Sequence, residues 1–132
     1  MSYLLDTNIC IHIINEQPTQ VLQRLIRAGR ESLVISTITV AELAFGAANS
    51  TRADSRGKLE NFLSKFPILD WDQSAAWVYG NVRKALEAKG QRIGERDLLL
   101  ACQALSLNAT MVTNNIREFE RIEGLKLENW VG

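Results

Sequence analysis

The stretch Tyr3-Leu4-Leu5-Asp6-Thr7-Asn8-Ile9 decides how the rest of the chain is read. A short apolar run ends in a carboxylate, a hydroxyl and an amide, and a second apolar run, Ile9 to Ile14, follows with no room for a hairpin. That pattern predicts a buried strand, a sharp polar junction and a helix, with Asp6 as the last side chain the strand delivers. In parallel α/β sheets, ligands bind outside the carboxyl ends of the strands, so Asp6 is a candidate active-site residue. The competing reading is a helix N-cap, a position that favours Asp and Thr.

Outward from this junction the same alternation recurs. Pro18 suits a first helical turn, Val21, Leu22, Leu25 and Ile26 follow at helical spacing, and Gly29 is a natural stop. Ser32 to Ser36 reads as a second buried strand, Thr37 as the cap of the next helix, and Ser50 to Lys65 as a third helix with Arg52, Arg56, Lys58 and Lys65 mostly outward. Phe66 to Leu69 is a short strand. Asp72 caps a long helix, Gln73 to Ala88; Glu95 to Leu107 is a further helix, Thr110 to Thr113 a strand, Asn114 to Arg121 a loop or short helix, and Leu125 to Glu128 a closing edge strand. Strands alternating with helices predict a three-layer α/β/α domain with a mostly parallel central sheet, spanning residues 1–132 as one domain. Trp71 and Trp77 are expected to pack in its core.

Composition narrows the chemistry. With 132 residues, 46% hydrophobic and 23% charged, the chain is large enough to bury a core without staples. Fifteen basic residues against fifteen acidic ones leave no global field for a polyanion, so any hold on nucleic acid must come from a local patch, a cation or a second protein. No apolar run approaches the roughly 20 residues of a membrane span, and the first residues lack the basic start and cleavage site of a signal peptide. A cytoplasmic location without membrane contact is the expectation. Cys10 and Cys102 lie in apolar helical runs and read as buried thiols rather than a disulfide. A single histidine, His12, leaves no zinc set and no triad.

Among the carboxylates, four stand apart. Asp6 ends the first strand, Glu42 lies early in the helix after the second, Asp97 opens the helix after Gly94, and Glu118 follows the strand that ends at Thr113. In a parallel sheet such places gather on one edge. Four acids there repel one another unless something positive is present, and Asp and Glu without His fit Mg²⁺ or Mn²⁺ better than zinc. Metal-assisted hydrolysis of a phosphodiester is the reaction class this implies. Asp70 and Asp72, in contrast, read as turn and cap, and Glu60 and Glu87 as solvated helical positions.

Four segments in order, Leu4 to Ile9, Ala41-Glu42-Leu43-Ala44-Phe45-Gly46, Ile93-Gly94-Glu95-Arg96-Asp97 with the apolar run after it, and Val112 to Phe119, together with Glu128-Asn129-Trp130, resemble the PIN-domain ribonucleases of the VapC toxin family. The resemblance covers essentially the whole length. It implies a Mg²⁺-dependent endoribonuclease, with Mn²⁺ able to substitute, that stops translation by cutting a restricted RNA target, initiator tRNA among the candidates. Carried over by position, Asp6 and Asp97 are the metal ligands, Glu42 a further ligand direct or through water, and Asn115 and Glu118 the candidates for the fourth acidic position. Thr7, Asn8, Thr113 and Asn115 would orient carboxylates or water, and Lys89, Arg92, Arg96 and Arg117 would position the RNA backbone. The resemblance also implies a VapB-like antitoxin that covers the acidic cleft, a homodimer, and larger assemblies that reach operator DNA through the antitoxin.

Two other phosphate chemistries place Asp at a strand end. An aspartyl-phosphate hydrolase wants a second Asp two positions on, where this chain has Asn8, and a receiver-like domain wants one at the end of a middle strand, where it has Ser36. A non-catalytic RNA- or protein-binding domain on the same frame is the remaining alternative.

Overall fold

Leu4 and Leu5 are both fully buried, yet on opposite faces of the sheet, because successive strand residues point to opposite sides. The computed structural model describes residues 2–131. Strand β1 (Tyr3–Leu5) runs into α1 (Thr7–Ile14), followed by α2 (Thr19–Ala28), β2 (Leu33–Ser36), α3 (Thr37–Ala48), α4 (Ser55–Leu63) and β3 (Ile68–Leu69). After α5 (Gln73–Ala88) and α6 (Glu95–Ser106) come β4 (Thr110–Val112), α7 (Ile116–Phe119) and β5 (Lys126–Glu128).

The strand order is β3-β2-β1-β4-β5, and every pair is parallel, closing strand included. The expected mostly parallel sheet is thus wholly parallel. From β1 the chain steps outward through β2 to β3, then returns to the other side of β1 for β4 and β5. The reversal opens a crevice between β1 and β4 at their carboxyl ends, where ligands of such sheets bind. Leu5, Ile35 and Val112 pack on one face with α1 to α4 residues such as Ile9, Val21, Leu43 and Phe62; Leu4 and Met111 pack on the other with Leu86, Leu100 and Phe119 of α5, α6 and α7. Both cysteines are buried; burial pushes the Cys102 thiol up to about 12 and Cys10 higher still. No helix among the described residues is long and apolar enough to cross a membrane.

Several local expectations change. The cap of α3 is Ser36, whose hydroxyl accepts from Ile38 N at 3.0 Å, so Thr37 is the first helical residue; its hydroxyl instead accepts from Trp71 N at 3.2 Å. Helix α4 begins at Ser55 rather than Ser50, because Ser50 turns the chain by accepting from Arg52 N and from the Ser55 hydroxyl. Trp77 is not in the core: it is 73% exposed on the outer face of α5. Trp71 is half-buried, its indole N–H donating to Leu99 O at 2.8 Å. Asp72 caps α5 as read, accepting from Ala75 N at 3.1 Å.

The last residues fasten the sheet edge. Trp130 is buried against Tyr3 and donates through Nε1 to Glu128 Oε1, which also pairs with Arg24 of α2. The Glu128 carbonyl in turn receives Thr113 N–H at 3.0 Å, tying β5 to the residue that leaves β4 beside the crevice.

Candidate active site

At the end of β1, Asp6 takes the helix-cap position that its residue type favours. Its Oδ1 accepts from Ile9 N at 3.0 Å and caps α1, yet the residue faces the crevice mouth beside Thr113 rather than open solvent. Only 6% of Asp6 is exposed, and burial raises its pKa against the opposing pull of hydrogen bonds from Thr113 and from the Ile9 and Asn8 backbones; Glu42 adds a smaller upward push. Asn8 therefore acts through its N–H, its own side chain being exposed.

Glu42 reaches the site because α3 starts where β2 stops, and β2 lies next to β1. Thr7 donates its hydroxyl to Glu42 Oε1 at 2.5 Å, and Arg96 Nη1 lies 3.5 Å from Oε2. Among the described residues this is the one ion pair that any of the four acids makes, and the Arg96 side chain is 72% exposed.

Across the crevice, Asp97 lies in the first turn of α6. Its pKa is raised to about 6, first by burial and then by Glu118, with smaller contributions from Asp6 and Glu42. After burial, Glu118 is the group that acts most strongly on Asp97, its negative charge raising the Asp97 pKa further. Glu118 is held by Gly94 N–H on Oε1 at 2.9 Å and by Asn115 Nδ2 on Oε2 at 2.6 Å. Asn115 N in turn donates to Thr113 Oγ1 at 3.0 Å. Thr113, fully buried, thus holds Asp6 on one side and the turn that carries Asn115 and Glu118 on the other. Asn115 and Glu118 form one unit here, the amide steadying the carboxylate that faces Asp97.

The structure brings Asp6, Thr7, Glu42, Asp97, Thr113, Asn115 and Glu118 to one edge. Of the four basic residues expected at its rim, Arg96 touches the acids, Arg117 is exposed on α7 beside Glu118, and Arg92 is exposed in the loop before Gly94. Lys89, at the end of α5, lines a separate hollow with Arg121 and Ile122. The role of the Gly94 N–H escaped sequence reading, because its partner Glu118 lies 24 residues away and no local pattern pairs them. Among the described residues no three acids close into a ready-made cage. An all-oxygen, open donor set of this kind suits Mg²⁺, which keeps most of its waters and takes only one or two carboxylates.

Fold and site together define a wholly parallel α/β domain with an acidic edge at its topological switch point. The profile of the PIN domain matches residues 3–125. The chain is 45% identical to ribonuclease VapC2 of Rickettsia felis over 132 residues, 98% of each chain. It is 37% identical to the tRNA(fMet)-specific endonuclease VapC of Shigella flexneri over 131 residues, again 98% of each. The structure of VapBC2 from Rickettsia felis bound to a DNA fragment from its promoter superposes with a TM-score of 0.92 at 43% identity, covering 98% of this chain and 99% of that one. The chain belongs to the PIN-domain family, among its VapC ribonucleases.

Proposed function

We propose that this protein is the toxin of a toxin–antitoxin pair and that it cuts RNA at the edge formed by Asp6, Glu42, Asp97 and Glu118. The observation that carries this reading is the crowding of four acids at the switch point, which lifts Asp97 to about 6 in a chain matched end to end by VapC ribonucleases. The partner is a VapB-like antitoxin, through which the pair reaches operator DNA, as the DNA-bound relative suggests. Initiator tRNA is the proposed substrate, in line with the name of the Shigella flexneri relative.

Asp6 and Asp97 would hold Mg²⁺ or Mn²⁺, with Glu42 and Glu118 on either side. When bound, the cation supplies Lewis-acid stabilisation of charge on the phosphate and lowers the pKa of coordinated water. The chain's own residues prepare that site. Ile9 and Asn8 N–H groups fix the Asp6 carboxylate, Thr7 fixes Glu42, and Gly94 with Asn115 fixes Glu118, so little reorganisation is left for the reaction. Arg96, paired with Glu42 in this state, is free by its exposure to swing to an arriving phosphate, while Arg92 and Arg117 set the backbone register.

The test is cleavage of total tRNA by antitoxin-free protein, with Mg²⁺ or Mn²⁺ against chelator and with Asp6→Asn beside wild type. Discrete fragments are expected that need both the cation and Asp6, with a loss of at least about 100-fold in the variant, since even residues that only support a ligand cost 10–100-fold. Metal binding without cleavage of tRNA would point to another RNA. No metal binding would favour the binding-domain reading.

A further inference from the structure

The loop that brings Gly94 to the acidic edge has a second side. Between the C-terminal half of α5 and residues 90–95 lies an open groove of about 570 Å³, within the roughly 300–1,000 Å³ usual for ligand sites. Leu86, Ile93 and Leu98 supply apolar surface to it. Another part of its lining is Arg83, whose guanidinium is held on two sides: Nη1 donates to the Tyr79 hydroxyl at 3.1 Å and Nε to Glu87 Oε2 at 3.0 Å. The group lies 5.9 Å from the Tyr79 ring centroid, and Tyr79 is braced edge-on by Trp71. An exposed arginine ordinarily gives up rotamer freedom when it binds; this one is held in place beforehand. Gln91 completes the lining, and its Oε1 has no hydrogen-bond partner; shielded from solvent as it stands, it meets a ligand once the terminal amide turns about its last torsion toward the groove. A buried acceptor in that state is costly, and a ligand N–H would relieve the cost.

We propose that this groove takes one unpaired base of the substrate RNA, stacked on the Arg83 guanidinium, with an N–H of the base edge donating to Gln91 Oε1. The proposal rests on the ribonuclease reading and adds a specificity site to it. Single-stranded RNA is read in this manner, by bases splayed out onto aromatic or guanidinium planes and hydrogen-bonded along their edges. A phosphate is the poorer occupant, because Glu87 already neutralises Arg83 and Glu95 adds a further negative charge to the groove. The place is right for a nucleotide adjoining the one that is cut: Ile93 and Leu98 on the groove bracket Gly94, whose N–H holds Glu118, and Asp97. An acceptor at Gln91 favours cytosine over uracil, since cytosine presents an amine where uracil presents a carbonyl.

The test uses oligoribonucleotides randomised around a mapped cut, digested with Mg²⁺ by wild type, Gln91→Met and Arg83→Gln, each first shown by thermal melting to be folded. Wild type is expected to prefer cytosine to uracil at one position beside the cut by about tenfold, the worth of one buried hydrogen bond. Both variants should flatten that position alone and raise KM there. An abasic nucleotide at the same position, given to wild type, should raise KM to a similar extent without any variant. Cleavage by all three proteins with matching profiles, and indifference to the abasic site, would overturn the base site and leave the ribonuclease standing. Failure of wild type to cut any RNA would overturn the ribonuclease reading and this proposal with it.

Discussion

At Asp97, burial strips water from the carboxyl while Glu118, Asp6 and Glu42 add negative charge around it. Its pKa rises from 3.8 to about 6, so between those values the folded protein binds more protons than the unfolded chain. Stability of the metal-free protein therefore falls as pH rises through that window, and the full penalty is present above pH 6. Two pKa units correspond to about 3 kcal/mol, and partial exposure of the group reduces this to about 1 kcal/mol. Metal-free Asp97→Asn is accordingly expected to melt higher than wild type at pH 8, with the gap closing below about pH 4. Equal or lower melting at pH 8 would show that the acids are not crowded. The sequence places Asp97 at the start of the helix after Gly94, among four acids expected on one edge. It does not show that Glu118 is the one that acts on Asp97 most strongly.

Helix α6 illustrates how an element sets a site. Gly94 precedes its first turn with φ −52° and ψ 143°, a conformation open to any residue, so backbone freedom does not explain the glycine. Nor does a steric clash: a Cβ there would sit 3.5 Å from Asp97 Oδ2 and 3.7 Å from Glu118 Oε1. These are ordinary contacts, and Gly94→Ala should fold with stability within about 0.5 kcal/mol of wild type. The methyl group would nevertheless displace solvent or cation from between two carboxylates. Titration with Mn²⁺ followed by electron paramagnetic resonance should show affinity reduced about tenfold, the size of effect that supporting groups have on metal sites. Unchanged affinity would place the cation away from α6. Other elements were legible to within a few residues because they obey local rules: α5 carries Asp72 as its cap and runs to Ala88, as its pattern predicts. The start of α4 was misplaced because Ser50 makes a turn with Arg52 and Ser55 that helical periodicity does not report. Trp77 was misassigned because aromatic character alone does not say which side of α5 is covered.

Over the whole molecule the formal charge is zero, so on the proposed reading attraction for RNA would depend on the rim arginines and on a cation held by the acids. A cation that binds only the folded chain stabilises it by mass action. Mn²⁺ at ten times its Kd should raise the melting temperature by about 4 °C for a domain of this size. Chelator should reverse the rise, and Asp6→Asn should not show it. A rise that persists in Asp6→Asn would assign the ion to another part of the surface.

The sequence by itself determined the alternation of strands and helices, the parallel α/β class and the four acids worth following, because each rests on periodicity, caps and composition within a few residues. Only the tertiary structure decided that β5 joins the sheet in parallel, that Thr113 holds Asp6 and the Asn115–Glu118 turn together, that Gly94 donates to Glu118, and that Arg96 lies against Glu42. The physical reason is distance along the chain: these pairs meet through strand order and crossover, which no local preference encodes.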